Sequence, residues 1–328
     1  MKPFGRRNAL ILGSSAFLLP AGLPAGLRAQ AWPGGPVTLV VGYAAGGGAD
    51  INARELGQIM SPLIGQQVIV DNKGGAAGSV GVRVVASAKP DGQTLFYAVG
   101  TNVIINPHVQ KGMIDTLTNL APICQTTSYQ YVLAVNPKVP ANSAAELVAL
   151  AKKEPDKLTY SSSGVGGNNH LAGALFAEAA GIKIIHVPYK GTGPALADVI
   201  SGQITMNFSS LPPAVGQIKA GNLKALAVTG NKRVKSLPDV PTLKEQGIDV
   251  VVTSWHGLFA PAKTPDAILD RIEQQTKAAM KDPKWEEALG KDGLELPPDR
   301  TRAEFAKFVA DEHNFWGRKL KELKVEME

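Results

Sequence analysis

Val37-Thr38-Leu39-Val40-Val41 runs into the loop Ala44 to Asp50, AAGGGAD, and later in the chain Leu158-Thr159-Tyr160 runs into Ser161 to His170, SSSGVGGNNH. Each short apolar run reads as a strand, and each glycine-rich loop opens onto a segment with helical apolar spacing. A strand that ends in a glycine turn and feeds a helix aims backbone N–H groups and a helix N-terminus at one spot, which favours an anion. Two such loops, one in each half, predict a small acidic ligand clasped between two lobes.

Around the first loop, the helix carries Leu56, Ile59/Met60 and Leu63 on one stripe, with Asp50 as its candidate N-cap. A strand at Val68 to Val70, a helix from about Ser79, the turn Pro90-Asp91-Gly92 and a strand at Thr94 to Ala98 follow. Strand–helix–strand alternation predicts an α/β fold with a mostly parallel sheet. The second lobe is expected from Tyr131 to Val135 onward, with Ser143 and Glu146 as a capping box. Leu158 to Ser161, a helix from Leu171 ended by Gly181, and a strand at Ile184 to Val187 come next. Pro194 suits the first position of a helix closed by Gly202, and Leu223 to Thr229 reads as a buried strand. Two tail helices are expected. One spans Pro265 to Lys281; the other is capped by Thr301 and Glu304 and carries Phe305, Phe308, Val309 and Trp316. Lys319 to Lys324 reads as a solvated face. No internal sequence repeat is apparent.

Residues 1–31 read as an export leader. Arg6 and Arg7 precede the apolar stretch Ala9 to Leu19, and Ala29-Gln30-Ala31 offers a small-x-small cleavage site before Trp32. Pro20 and Pro24 interrupt the stretch too early for a membrane span. Adjacent arginines leave both the Sec and the twin-arginine routes open. The leader holds four cations and no acid, so the formal charge of +6 falls to +2 without it, and no basic patch argues for nucleic acid. The single cysteine, Cys124, reads as buried packing.

Enzyme signatures are missing. The five histidines are widely spaced, with no HExxH or CxxC pattern, so neither a protein-built metal site nor a cofactor is expected. Walker A, GxSxG and an intact GxGxxG do not occur, Asn169 standing where the third glycine would be. Ser163 and His170 form a Ser/His pair without the motif that sets a nucleophile on a strained turn. Among ligand-binding candidates, Gly46, Gly47 and Gly48 exceed what a tight turn requires, which suggests close approach by a ligand. Asp50 serves as cap, ligand contact or both. Ser163, Gly164, Gly166, Gly167 and Asn168 bring hydroxyl, amide and backbone donors to a helix N-terminus, where His170 reads as a structural hydrogen-bonder. Tyr43, Tyr189 and Trp255 lie at strand ends, where aromatics wall a pocket or pack a core. Thr101 and Asn102 lie at the carboxyl end of a strand. Lys190 either pairs with a carboxylate or is solvated.

The ordered set Trp32-Pro33, Gly46-Gly47-Gly48-Ala49-Asp50, Tyr189-Lys190-Gly191 with Pro194-Ala195 and Asp198, and Pro238-Asp239-Val240-Pro241-Thr242 with Glu245 and Gly247 closely resembles the Bug (Bordetella uptake gene) family. These are the substrate-binding proteins of tripartite tricarboxylate transporters, and the resemblance covers the whole chain. It implies a periplasmic, type II binding-protein clamp with a Rossmann-like sheet flanked by helices in each lobe. Residues 32–131 and 257–328 would form one lobe and 132–256 the other, with crossovers near Gln130 to Val132 and Trp255 to Leu258. It places a carboxylate among Tyr43, Gly46, Gly47, Gly48, Asp50, Thr101, Asn102, Ser163, Gly164, Gly166, Gly167, Asn168, His170, Tyr189, Lys190 and Gly191, held by backbone donors, hydroxyls and water. Two departures stand out: Gly167 replaces a common Ser or Thr, and Thr205 a common acid. A lost hydroxyl suggests room for a ligand larger than an amino acid, aromatic ones included. The expected function is capture of an organic carboxylate by hinge closure and delivery to the transporter's membrane permease, by a monomer. A ligand-sensing subunit for a membrane kinase and a secreted hydrolase are the alternatives. Aromatic dicarboxylates, tricarboxylates, dicarboxylic amino acids and pyridine carboxylates all fit the expected ligand class.

Overall fold

The computed structural model describes residues 32–323, so the expected leader and the end of the Lys319–Lys324 stretch lie outside the described residues. β1 (Val37–Val41) leads through its glycine loop to α1 (Gly48–Ile64), β2 (Val68–Asn72), α2 (Ser79–Ala86) and β3 (Thr94–Val99). Short helices α3 (Gly100–Ile104), α4 (Asn106–Val109) and α5 (Thr116–Asn119) precede the long strand β4 (Leu120–Val135) and α6 (Ala144–Lys153). The strand–helix pattern then returns as β5 (Thr159–Ser162), α7 (Asn168–Ala180), β6 (Ile185–Pro188), α8 (Thr192–Ser201) and β7 (Met206–Ser210). After α9 (Leu211–Lys219), β8 (Lys224–Val228) and β9 (Thr253–Pro261), the chain ends in α10 (Asp266–Met280), α11 (Pro283–Asp292) and α12 (Arg302–Leu323).

The two strand–helix units share one topology. β1 lies between β2 and β3, all parallel, and β5 lies between β6 and β7, again all parallel. In each unit the first strand is central, and the glycine loop leaves its carboxyl end, where open α/β sheets bind ligands. The sequence carries no repeat, yet the fold does.

β4 joins the two sheets. From Leu120 to Gln130 it pairs antiparallel with β9, which in turn pairs with β3. From Tyr131 to Val135 it pairs antiparallel with β7 and β8 instead. Sequence reading found only the apolar second part of this strand, because Gln125 to Gln130 lacks an apolar pattern. Those polar side chains are partnered where they are buried: Thr126 Oγ1 donates to Tyr97 Oη at 3.2 Å, Thr127 Oγ1 meets His256 Nδ1 at 2.8 Å, and Gln130 Nε2 donates to the Lys232 carbonyl at 2.8 Å. Thr229 ties the segments at the crossing. Its Oγ1 accepts from Tyr131 N at 2.9 Å and donates to the Val252 carbonyl at 2.6 Å.

Several local expectations shift. α7 starts at Asn168 rather than Leu171, which places the asparagine amides in its first turn. Pro194 is the third residue of α8, not the first. Leu63 leaves the α1 stripe and is 45% exposed, while Leu56 and Met60 are fully buried. Asp50 is not the N-cap of α1; Gly47 is, and Asp50 lies in the first turn. Glu146 reaches back to Asn142 N at 2.7 Å, although Ser143 caps α6 as expected. Thr301 and Glu304 form the reciprocal box at the start of α12, with Phe305 and Val309 buried beneath it.

Candidate ligand-binding site

The carboxyl ends of β1 and β5 face one another across a small cavity of about 30 Å³. Its wall gathers the N-terminal turns of four helices: Gly48 and Ala49 of α1, Asn168 and Asn169 of α7, Thr192 of α8, and Ser210, the N-cap of α9. The first N–H groups of each helix have no partner within it, and the helix dipole adds partial positive charge there. Thr101, Ser163 and the phenols of Tyr43, Tyr129 and Tyr131 complete the polar lining, and among the described residues no charged side chain borders the cavity. Ser210 Oγ is buried with no hydrogen-bond partner among the described residues. Burial raises the Tyr43 phenol to about 12, although the hydrogen bond it accepts from Asn102 Nδ2 at 2.8 Å lowers it. Burial likewise raises the Tyr131 phenol, so both stay protonated donors at neutral pH.

The three glycines of the first loop have separate jobs. Gly46 takes a positive φ of 81°, and nothing lies within 4 Å of where its Cβ would be, so it serves the turn. A Cβ on Gly48 would lie 2.8 Å from Ser210 Oγ at the end of β7, so this glycine permits close approach. What approaches is the second strand–helix unit itself. Asp50 folds back: its Oδ2 accepts from Gly46 N at 2.9 Å and its Oδ1 pairs with Arg54 at 2.8 Å. Burial pushes this carboxyl up, but hydrogen bonds from Arg54, Gly46 and Asn72 and the Arg54 charge outweigh it and hold the group below its ordinary range. Its charge is therefore compensated beside the cavity rather than aimed into it.

The second loop is wired internally. Ser163 N donates to Asn169 Oδ1, Gly164 N to Ser162 Oγ, Gly166 N to His170 Nδ1 and Gly167 N to the Gly164 carbonyl, each at 3.1 Å. These loop N–H groups are occupied, so the donors left for a ligand sit at the start of α7. Ser163 Oγ also bonds Asn169 Oδ1 at 2.9 Å, and no bond joins Ser163 to His170. The Ser/His pair that the structure does form is Ser162 Oγ with His186 Nε2 at 2.6 Å, with Ser162 fully buried and outside the cavity wall. His170 stacks on His186 with ring centroids 4.1 Å apart. Burial lowers the basicity of both, and the His170 ring adds to it for His186, which falls to about 3.

Of the candidates from sequence, Tyr43, Gly47, Gly48, Thr101, Ser163 and Asn168 line the cavity. Asn102 stands behind it, accepting from Val99 N and donating to Tyr43 Oη and the Ala77 carbonyl, which exhausts its amide. Gly167 also stands behind: a Cβ there would meet Ser163 Oγ and Asn169 Oδ1 at 3.1 Å. A missing hydroxyl at Gly167 therefore opens no volume for a bulkier ligand. Tyr189, Lys190 and Gly191 belong to the seam between lobes. The Tyr189 phenol donates to Asp198, and the Lys190 carbonyl, not its ammonium, crosses to Ala44 N at 3.1 Å. A second latch runs from Gln110 Nε2 to the Val165 carbonyl at 2.7 Å. Sequence reading missed Tyr129, Tyr131, Thr192 and Ser210. Ser210 had a usable signal, since Ser followed by Leu211-Pro212-Pro213 is a cap before first-turn prolines.

Two glycine loops on equivalent central strands bring helix N-termini around a cavity without charged side chains, an arrangement that favours an anion. The model of the tripartite tricarboxylate transporter family receptors matches residues 52–325 of this chain. The chain belongs to this family. Among solved structures it is similar to the periplasmic binding protein BugD, at 33% identity and a TM-score of 0.87, over 90% of this chain and 100% of that one. Rpa4515 of R. palustris, solved with adipate, is 29% identical with a TM-score of 0.85, over 89% of this chain and 98% of that one. MatC from Rhodopseudomonas palustris, solved with bound malate, is 27% identical with a TM-score of 0.83, over 88% and 99%. The family's fold is the two-lobed α/β clamp of periplasmic binding proteins. Its first glycine loop here falls just ahead of the residues matched by the family model.

Proposed function

We propose that this receptor captures a small organic carboxylate in the periplasm by hinge closure and passes it to the membrane permease of a tripartite tricarboxylate transporter. The convergence of the α1, α7, α8 and α9 N-termini on one cavity without a side-chain charge carries the reading. Such a wall offers N–H and O–H donors to an anion and no fixed countercharge to a cation. Adipate and malate in the related structures make a short aliphatic dicarboxylate the favoured ligand. At about 30 Å³ the cavity holds roughly a tenth of the smallest usual ligand pocket, ~300 Å³. A carboxylate therefore enters when the lobes part, and its contacts to both lobes then favour re-closure.

The lobes under this reading are residues 32–130 with 253–323, and residues 131–252. The chain crosses at Gln130–Tyr131 and Val252–Thr253; pairing of Thr253 with Gln130 supports a second crossing ahead of Trp255–Leu258. Calorimetry of the protein from Trp32 onward with adipate, malate and a wider carboxylate panel, paired with X-ray scattering, tests the reading. Micromolar or tighter binding of one acid with compaction on binding is expected; neither response anywhere in the panel would overturn it.

A further inference from the structure

A cavity far larger than the one between the glycine loops lies elsewhere among the described residues. It measures about 500 Å³ and lies at the strand crossing, bounded by α12, by α7 and by the segments around Tyr129 and Trp255. That volume is within the ordinary range for small-molecule pockets, roughly 300–1,000 Å³. Four aromatic side chains, Tyr129, Trp255, Phe308 and Trp316, form its walls, with Leu171 and Leu175 of α7 opposite α12. Phe308 and Trp316 are only half buried on a helix whose Phe305 and Val309 are packed away, so part of its aromatic stripe faces this space rather than the core.

The charges of the lining are distributed unevenly. Lys232 and Glu295 pair with each other at 2.9 Å and are largely exposed at the edge. Glu312 is engaged by the Trp316 side chain and also feels the Arg300 charge. The Arg300 guanidinium lies 4.3 Å over the Phe308 ring, one nitrogen donates to Gln125 Oε1, and its charge acts on Glu312 without a salt bridge between them among the described residues. A guanidinium held over an aromatic ring offers its free N–H edges to a carboxylate.

We propose that this cavity is a second ligand site, taking an aromatic monocarboxylate whose ring lies among Trp255, Phe308 and Trp316 and whose carboxylate pairs with Arg300. Tyr129 and Asn168 border this cavity and the one between the glycine loops, so the two sites share a wall. The second site differs from the first in chemistry. It recognises a flat apolar body through aromatic surface and one side-chain cation, where the first uses helix N-termini and hydroxyls alone.

Calorimetry with 2-naphthoate on the protein from Trp32 onward tests the proposal, alongside the neutral 2-naphthalenemethanol. Saturable binding of one naphthoate per protein is expected, with the alcohol at least about tenfold weaker. Arg300→Gln should weaken naphthoate about tenfold, and Leu175→Trp, which fills the cavity, should abolish it. Gly48→Val, which obstructs the cavity between the loops, should leave naphthoate binding in place, so the result does not depend on the first site. Absence of saturable binding at millimolar naphthoate would overturn the proposal. So would binding lost in Gly48→Val but kept in Leu175→Trp and Arg300→Gln.

Discussion

The two glycine loops occupy equivalent places in equivalent units, yet they keep their shape by opposite means. The loop before α1 is shaped by missing side chains: Gly46 supplies the positive φ, and Gly48 lets Ser210 of the facing lobe come close. The loop before α7 is shaped by side chains that are present, with Asn169, Ser162 and His170 accepting its N–H groups. One jaw should therefore fail when an atom is added, and the other when an acceptor is removed.

The largest effect belongs to Gly48→Val. Under the proposed hinge closure the added carbons collide with Ser210 only in the closed state, so carboxylate affinity should fall at least about a hundredfold, or ~2.7 kcal/mol. Thermal unfolding of the ligand-free protein should be nearly unchanged, which separates a closure defect from a folding defect. Asn169→Ala comes next. It orphans Ser163 N and removes the partner of Ser163 Oγ, so the variant should lose about 1–3 kcal/mol of stability in denaturant titration along with affinity. A variant that binds weakly at full stability would contradict the wiring of this jaw.

Acid should also distinguish the two jaws. His170 Nδ1 accepts from Gly166 N only while that nitrogen is unprotonated, and burial lowers the pKa of the ring. The neutral ring is the native form, so its contribution is complete at neutral pH and is lost as pH falls through the lowered value. Calorimetry across acid pH should show affinity declining below the ordinary histidine range near 6.5, with a flatter profile in His170→Asn, which keeps a side-chain acceptor. An identical profile in that variant would remove the histidine from the account. The smallest effect is expected for Asp50→Asn. Arg54 already balances this carboxylate, and an amide oxygen still accepts from Gly46 N, so affinity should change by less than about threefold.

Much of the first jaw was legible because its signals are local. An apolar strand, a glycine turn and a helical stripe sit side by side, and Gly48 did mark a close approach. The approaching group was not legible, since Ser210 lies in a different sheet and reaches Gly48 only through the fold. Tyr129 and Tyr131 were missed for a related reason. They occupy alternate positions on β4 at the change of partners, and a polar stretch hides that strand from any apolar pattern. Asn102 and Gly167 were found in the right neighbourhood but placed in the wrong layer. Loop composition reports donors, whereas only the completed hydrogen-bond network shows which donors are already occupied. The shared order of β2-β1-β3 and β6-β5-β7 left no trace in sequence, because topology constrains where apolar runs fall and not which residues compose them.

Amide spectroscopy tests the central claim most directly. In ¹⁵N-labelled protein from Trp32 onward, titration with the carboxylate that binds should shift the N–H signals of Gly48, Ala49, Asn168, Asn169 and Thr192 together, downfield and with one saturation curve. Shifts confined to one loop, or larger at Gly164 and Gly166 than at the start of α7, would contradict a ligand held between the helix N-termini of two closing jaws.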